Sequence, residues 1–358
     1  MGKNKETILF GGIGALAGIA MEHFSEKLLS DMNGFLALLL LILGLTAIAF
    51  LHIIIHEFGH LVCGLLSGYK FVSFRVGSIM LIKIRGKYCF RRFRIPGTGG
   101  QCLLDPPEPK NGYYPVKLYN FGGGLFNLIL AAASAVVGIT TDSRAVLFFA
   151  ILSAALGLFF MASNLIPMKV SGIANDGYNL VSLENDPVSS KAFWQQLRIN
   201  KLQSDGYRLK EIDAELFDSA FLAVEGNPLV DQIKMFWLQR LLDEKRFDEA
   251  ADWARNLIRS KGLLDLFKNM IDVEMLYLEL IGECREDLIR IRYTKELKKY
   301  LKTVNGYPST HRLKYAYAVR FAHSEKMAAK AEKDFREAAK KYPMVGEIAT
   351  EKELFMEI

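Results

Sequence analysis

Four apolar segments lie in the first half of this chain, and they point to a fold that places helices in a membrane. About 20 apolar residues cross a typical bilayer core as a helix. The second segment, 33 residues long, would form a helix of roughly 50 Å, so its end must tilt, break or leave the bilayer. The first segment is short, and Lys3 and Lys5 before it allow a secretory signal peptide. No A-x-A cleavage site follows, which favours a retained span. The four segments are residues 7–21, 34–66, 118–139 and 145–166.

The charge distribution predicts a membrane domain over residues 1–186 and a soluble domain over residues 187–358. Residues 1–190 hold 15 Lys/Arg and 11 Asp/Glu, whereas residues 191–358 hold 30 and 28. This contrast excludes a disordered or collagen-like chain. The four cysteines form no CxxC pair, so neither a zinc ribbon nor a disulfide scaffold is indicated.

The loops between the spans predict their orientation. The loop over residues 70–117 carries ten Lys/Arg against two acids, and the loop between the first two spans carries three acids and one lysine. Positive loops stay in the cytoplasm, so we expect a multi-pass protein of the cell membrane with four crossings and both termini in the cytoplasm. The basic segment 70–94 can also contact the anionic head groups of the lipid bilayer. Nucleic acid is not an expected partner, because the basic run adjoins two spans.

The fold class predicted is mainly α: a membrane bundle of about four spans, a small membrane-associated β element, and a soluble helical domain. Residues 71–95 alternate basic with β-branched or aromatic residues and predict two or three short strands. Turn signals follow at residues 96–100 and 106–109. Two helical hairpins are predicted in the second half, with turns near residues 244–246 and 323–324. They resemble tetratricopeptide-type repeats, and an ordinary helical bundle is the alternative.

The pentad His56-Glu57-Phe58-Gly59-His60 is the sharpest chemical signal. Two histidines four residues apart share one face of a helix, so both can bind one Zn²⁺ ion. Glu57 is placed to take a proton from the water that the zinc activates. Ionisable residues within an apolar span are costly and indicate function. His52 lies one turn earlier on the same face, as either a structural histidine or a support for the site.

A third zinc ligand is expected near the membrane on the side of His60. Asp176 follows the fourth span on that side, and Asp105 in the proline-rich loop is the second candidate. Other acids of the first half, such as Asp31 and Asp142, belong to loops on the opposite side. Topology therefore selects Asp176 before Asp105.

These motifs resemble the site-2 protease family of intramembrane zinc metalloproteases. HEFGH within an apolar segment, NLIP at residues 164–167 and NDG at residues 175–177 carry the resemblance, over about residues 34–183. The resemblance implies that Asp176 joins His56 and His60 as a zinc ligand. It also implies that Asn127, in a G-x-x-x-N element beginning at Gly123, steadies the oxyanion. The alternative is a polar residue that forms hydrogen bonds with a neighbouring helix. GTGGQC at residues 97–102 resembles the stretch after the family's membrane-associated strands, which are proposed to receive an unwound substrate by edge pairing.

The expected function is therefore hydrolysis of a peptide bond, near the cytoplasmic face, in a membrane-spanning or membrane-associated substrate. Glu57 would act as general base, and the helical tail would bind the substrate or a regulatory protein. Two alternatives remain open. One is a receptor or scaffold that keeps a metal site without proteolysis, and the other is a membrane-anchored zinc protease acting on soluble peptides.

Overall fold

The computed structural model describes residues 33–170, 172–217 and 224–358. Within these residues the chain is mainly helical, with 13 α-helices, a four-stranded sheet and a two-stranded sheet. The predicted first span, residues 7–21, lies outside the described residues. The chain divides into two compact units. One comprises Met1–Ser67 and Lys117–Val181, and the other comprises Gly68–Val116 and Ser182–Ile358.

Three helices of the first unit are long and apolar enough to cross a membrane. They are α1 (Gly34–Leu66), α2 (Lys117–Thr140) and α3 (Arg144–Leu165). Their outward surfaces are apolar, as Phe35 (77% exposed) and Ile139 (85% exposed) illustrate. A surface of this kind is suited to lipid rather than water. The second, third and fourth predicted spans are thus confirmed as helices of spanning length and composition.

A short hairpin and a helix follow α3. Strands β5 (Lys169–Val170) and β6 (Ile173–Ala174) pair antiparallel, and helix α4 (Asp176–Asn185) begins two residues later. The hairpin turns the chain back at the end of α3, so the first residue of α4 returns toward the bundle.

The sheet of the second unit is antiparallel, with strand order β3-β2-β1-β4. Its strands are β1 (Lys70–Val76), β2 (Ile79–Ile84), β3 (Lys87–Arg92) and β4 (Gly100–Asp105). The sequence predicted two or three strands over residues 71–95, where β1, β2 and β3 lie, and it missed β4. Residues 102–105 of β4 are all buried, so the strand lacks the polar alternation by which half-exposed strands are recognised.

The predicted grouping of the strands with the membrane helices differs from the division in the structure. Met80 and Ile82 of β2 pack in one apolar cluster with Phe93 and with Tyr342 from the helical tail. Arg75, counted among the basic loop residues, is fully buried and donates to the carbonyl oxygens of Gly77 (2.7 Å) and Gly100 (3.0 Å). It therefore has a structural role and does not face lipid head groups.

The rest of the second unit is helical, with two 3₁₀ turns. Both predicted hairpins are present, as α6–α7 and α11–α12. Three helices separate them, and a tetratricopeptide-type array is not established. The helices are α5 (Pro187–Asp205), α6 (Pro228–Asp243), α7 (Phe247–Leu257), α8 (Asp265–Ile281), α9 (Glu286–Arg292), α10 (Lys295–Thr303), α11 (Pro308–Arg320), α12 (Glu325–Lys341) and α13 (Val345–Met356).

Candidate metal centre

Helix α1 carries both histidines of the pentad on its face toward α2. The Nε2 atoms of His56 and His60 lie 3.1 Å apart. Gly59, which lies between the two histidines, is required by packing, because α1 and α2 cross at Gly59 and Gly122. A Cβ added to Gly59 would lie 2.2 Å from the carbonyl oxygen of Gly122. Only glycine allows this close crossing, which brings α2 alongside the histidines.

Asp176, the first residue of α4, completes a cluster with these histidines. Its Oδ2 lies 3.3 Å from Nε2 of His56 and 3.3 Å from Nε2 of His60. All three ligand atoms lie within 4.8 Å of one another. The structure thus brings together the three residues that the sequence proposed as metal ligands.

Asn175 fixes the position of Asp176. Its Oδ1 accepts from the backbone N–H of Met168 (3.0 Å) and, as a helix cap, from that of Tyr178 (2.9 Å). Its Nδ2 donates to the carbonyl oxygens of Ser163 (2.8 Å) and Ile166 (2.7 Å). The amide makes four hydrogen bonds, its full capacity. It therefore ties the end of α3 to the start of α4.

The spacing of the three atoms matches a tetrahedral metal site. Bonds of about 2.0–2.1 Å to a tetrahedral zinc ion place ligand atoms about 3.3 Å apart. The observed separations are 3.1, 3.3 and 3.3 Å. Oδ2 of Asp176 is buried and has no hydrogen-bond partner in the described part of the chain. A cation between the three atoms would satisfy all of them.

The remaining ring nitrogens of the two histidines are held by α2. Nδ1 of His60 lies 2.8 Å from the carbonyl oxygen of Tyr119, which can only accept. His60 therefore donates from Nδ1 and leaves a lone pair on Nε2, the form that binds a metal. Nδ1 of His56 lies 3.2 Å from the side-chain amide of Asn127. Such partners orient metal-binding imidazoles.

The electrostatics of the cluster favour an anionic Asp176. Burial acts to raise the pKa of its carboxyl group, but the neighbouring His60 and His56 hold that pKa below its ordinary value. A deprotonated carboxylate beside two imidazoles is a donor set that suits zinc.

Glu57 and Asn127, the two predicted catalytic residues, are both buried. Glu57 is 8% exposed, and its charge is close enough to interact with His60. Asn127 is fully buried, with its amide between His56 and His52. Their catalytic roles stay predictions.

Asp105, the second candidate for the third ligand, belongs to the second compact unit. There it forms an ion pair with Arg198 at 3.0 Å. Sequence reasoning missed the carbonyl group of Tyr119 and the backbone ties made by Asn175. A backbone carbonyl leaves no trace in the residue type, whereas an asparagine before a helix is a recognisable cap signal.

Comparison with known proteins adds no family assignment. No protein-family model, curated protein or solved structure matches this chain.

Proposed function

We propose that this protein is an intramembrane zinc endopeptidase that resembles the site-2 proteases. The observation that carries the proposal is the tetrahedral spacing of His56, His60 and Asp176 beside helices apolar enough to cross a membrane. A largely buried cluster of three metal-binding side chains beside apolar helices is costly unless it serves a function.

The residues divide the chemistry between them. His56, His60 and Asp176 would hold zinc, which when bound polarises a carbonyl group and lowers the pKa of a water molecule. Glu57 follows His56 directly and accepts the proton of the attacking water. It then returns that proton to the nitrogen of the leaving amine, because a general base in the first step serves as the acid in the second.

A membrane-spanning or membrane-associated peptide is the proposed substrate. A helical peptide bond is shielded by its own hydrogen bonds, so the substrate must unwind before it reacts. Strand β3 is an edge of its sheet and exposes Tyr88 and Phe90. An unwound segment can add to an edge strand of this kind. The helical tail is proposed to bind the substrate or a regulatory protein.

Location in the cell membrane with both termini in the cytoplasm belongs to the same proposal. Residues 67–116 connect the end of α1 to the start of α2, so these two ends share one side of the bundle. The short connection between α2 and α3 reverses the chain, so α3 ends on that same side. The basic residues of that connection favour the cytoplasm.

Zinc binding and cleavage together test this function. Full-length protein in detergent should contain about one zinc per chain, and His56→Ala and Asp176→Ala should lose it. Protein in liposomes should then cleave a fluorescently quenched transmembrane peptide with a glycine-proline break. Glu57→Gln should keep the zinc and lose cleavage, because it preserves the size of the side chain but not its basicity.

The outcomes separate the proposal from its alternatives. Zinc retained in Asp176→Ala would place the third ligand elsewhere. Equal cleavage by the wild type and Glu57→Gln would remove the catalytic assignment and favour a scaffold. Cleavage of unstructured casein, with the transmembrane peptide left intact, would favour a protease of soluble peptides.

A further inference from the structure

A line of buried polar side chains lies directly behind His56. His52, one turn earlier on α1, and Asn127 on α2 are both fully buried. The amide of Asn127 lies between the two histidines, 3.1 Å from Nδ1 of His52 and 3.2 Å from Nδ1 of His56. On the far side, Nε2 of His52 lies 3.0 Å from the backbone carbonyl oxygen of Ser153 on α3 and 3.3 Å from the hydroxyl oxygen of the same residue. In such a place each donor must meet an acceptor, since an unmatched buried group is costly.

The carbonyl group of Ser153 sets the direction of every hydrogen bond in this line. It can only accept, so the 3.0 Å contact requires a hydrogen on Nε2 of His52. A neutral His52 then has a lone pair on Nδ1, which requires the NH₂ group of Asn127. The oxygen of the same amide must therefore face His56, and Nδ1 of His56 must carry a hydrogen.

This direction exchanges the amide oxygen and nitrogen of Asn127, since the structure places Oδ1 on the His52 side. The two atoms are assigned from the hydrogen-bond network, and a half-turn of the amide keeps both distances. With the unrotated amide, a neutral His52 would direct a lone pair at the carbonyl oxygen of Ser153, the nearer group at 3.0 Å, and the Ser153 hydroxyl group at 3.3 Å would have to donate to that lone pair. With the rotated amide and neutral side chains, Nε2 of His52 donates a hydrogen bond to the carbonyl oxygen of Ser153.

The line ends at the candidate metal centre. Hydrogen on Nδ1 of His56 leaves the lone pair on Nε2, the atom that lies 3.3 Å from Oδ2 of Asp176. His60 reaches the same form through the carbonyl oxygen of Tyr119. Both histidines therefore direct lone pairs at one point.

We propose that His52 and Asn127 form a positioning relay, which runs from the carbonyl group of Ser153 to His56. The relay holds the ring of His56 in the orientation and tautomer that a metal ion requires. The ring of His52 is itself held by stacking on Phe160, at 5.8 Å between centroids and 20° between planes. This inference rests on the proposed metal site. It gives Asn127 a role that differs from stabilising an oxyanion, because a fully buried amide between two rings has no surface for a substrate.

Zinc affinity, measured by competition with a chelator of known affinity, tests the relay. Full-length His52→Leu and Asn127→Leu should each bind zinc 10- to 100-fold more weakly, the usual effect of removing the partner of a metal ligand. The double variant should be no weaker than the worse single variant, because both changes break one line. His52→Gln should recover much of the affinity, since glutamine can donate to Ser153 and accept from Asn127.

A matched control comes from the same layer of the bundle. Ser134 contacts the side-chain oxygen of Ser153 at 2.8 Å, and that oxygen lies 3.3 Å from Nε2 of His52. The relay depends on the backbone carbonyl oxygen of Ser153, which Ser134→Ala leaves in place. Ser134→Ala removes a half-buried hydroxyl group and should bind zinc as the wild type does. Nitrogen-15 spectra of the wild-type histidines give a second readout that does not depend on any variant. With zinc bound, His56 and His60 should carry hydrogen on Nδ1, and His52 should carry it on Nε2.

Four results would overturn the relay. Wild-type affinity in both leucine variants would remove it and leave the proposed function standing. Unchanged zinc affinity with a reduced kcat in Asn127→Leu would assign that residue to the transition state instead. A hydrogen on Nδ1 of His52 in the zinc-bound spectra would reverse the hydrogen bonds. Absence of zinc binding in the wild type would overturn the proposed function first, and the relay with it.

Discussion

Replacement of Gly123 by alanine should remove the metal without unfolding the helix that carries it. Gly123 lies on α2 directly behind the two histidine rings. A Cβ there would lie 2.4 Å from Cε1 of His56 and 2.6 Å from Nε2 of His60, whereas ordinary contact begins at 3.4 Å. The rings must therefore retreat by about 0.8–1.0 Å, several times the roughly 0.2 Å that metal–ligand distances tolerate. Alanine also favours the helix over glycine by about 1 kcal/mol, so helix propensity does not oppose the change.

We expect zinc affinity in Gly123→Ala to fall by on the order of 100-fold or more. This exceeds the roughly 10- to 100-fold decrease that usually follows removal of a hydrogen-bond partner of a metal ligand. Elemental analysis after desalting and competition with a chelator would measure it. Gly138→Ala on the same helix is the matched control, because its Cβ would lie 3.5 Å from Ala150 and Leu147, in ordinary contact. One tightly held zinc per chain in Gly123→Ala would refute the reasoning, since a metal bound between His56 and His60 cannot survive that displacement.

Three further outcomes are expected. Glu57→Gln should lower kcat by about 10²–10⁴-fold with zinc content unchanged; activity above a tenth of wild type would argue against a general base. Arg312→Met should lower the free energy of unfolding by about 3–5 kcal/mol. The fully buried guanidinium group of Arg312 lies 2.7 Å from Glu274 and 2.7 Å from Glu351, and the change would leave both buried carboxylates without their cation. A loss under 1 kcal/mol in denaturant titration would contradict this. Burial, followed by the charge of Glu351, raises the pKa of Glu347 to about 8, so the folded state retains a proton that the unfolded state releases above about pH 4.5. Stability should therefore fall as the pH rises from about 5 to 8, and Glu347→Gln should show a shallower fall in melts across that range.

The histidine pair shows how much of the candidate site a sequence can carry. Spacing alone puts His56 and His60 on one face of a helix, because helical geometry is local. The count of crossings places Asp176 and Asp105 on the same side as His60, and the structure then groups Asp176 with the two histidines. The polar alternation of residues 71–95 likewise predicted two or three strands, whereas β4, buried throughout residues 102–105, gave no such signal.

The second half of the chain shows where local patterns stop. The helices on either side of residues 244–246 and 323–324 follow from amphipathic spacing. Their arrangement with the three helices between them depends on side chains distant in sequence, such as Arg312 with Glu274 and Glu351. The burial of Arg75 could not be predicted either. Nothing in a basic loop sequence indicates that one of its arginines donates to the backbone carbonyl groups of Gly77 and Gly100.

The sequence by itself determined the apolar helices, the paired histidines with Glu57, and the carboxylate that follows the last apolar helix. Each depends on the spacing of residue types along the chain. The tertiary structure alone decided the 3.1–3.3 Å spacing of the ligand atoms, the crossing at Gly59 and Gly122, and the contacts of His52 and Asn127. These depend on how closely helices distant in sequence approach one another, which packing fixes and residue spacing does not encode.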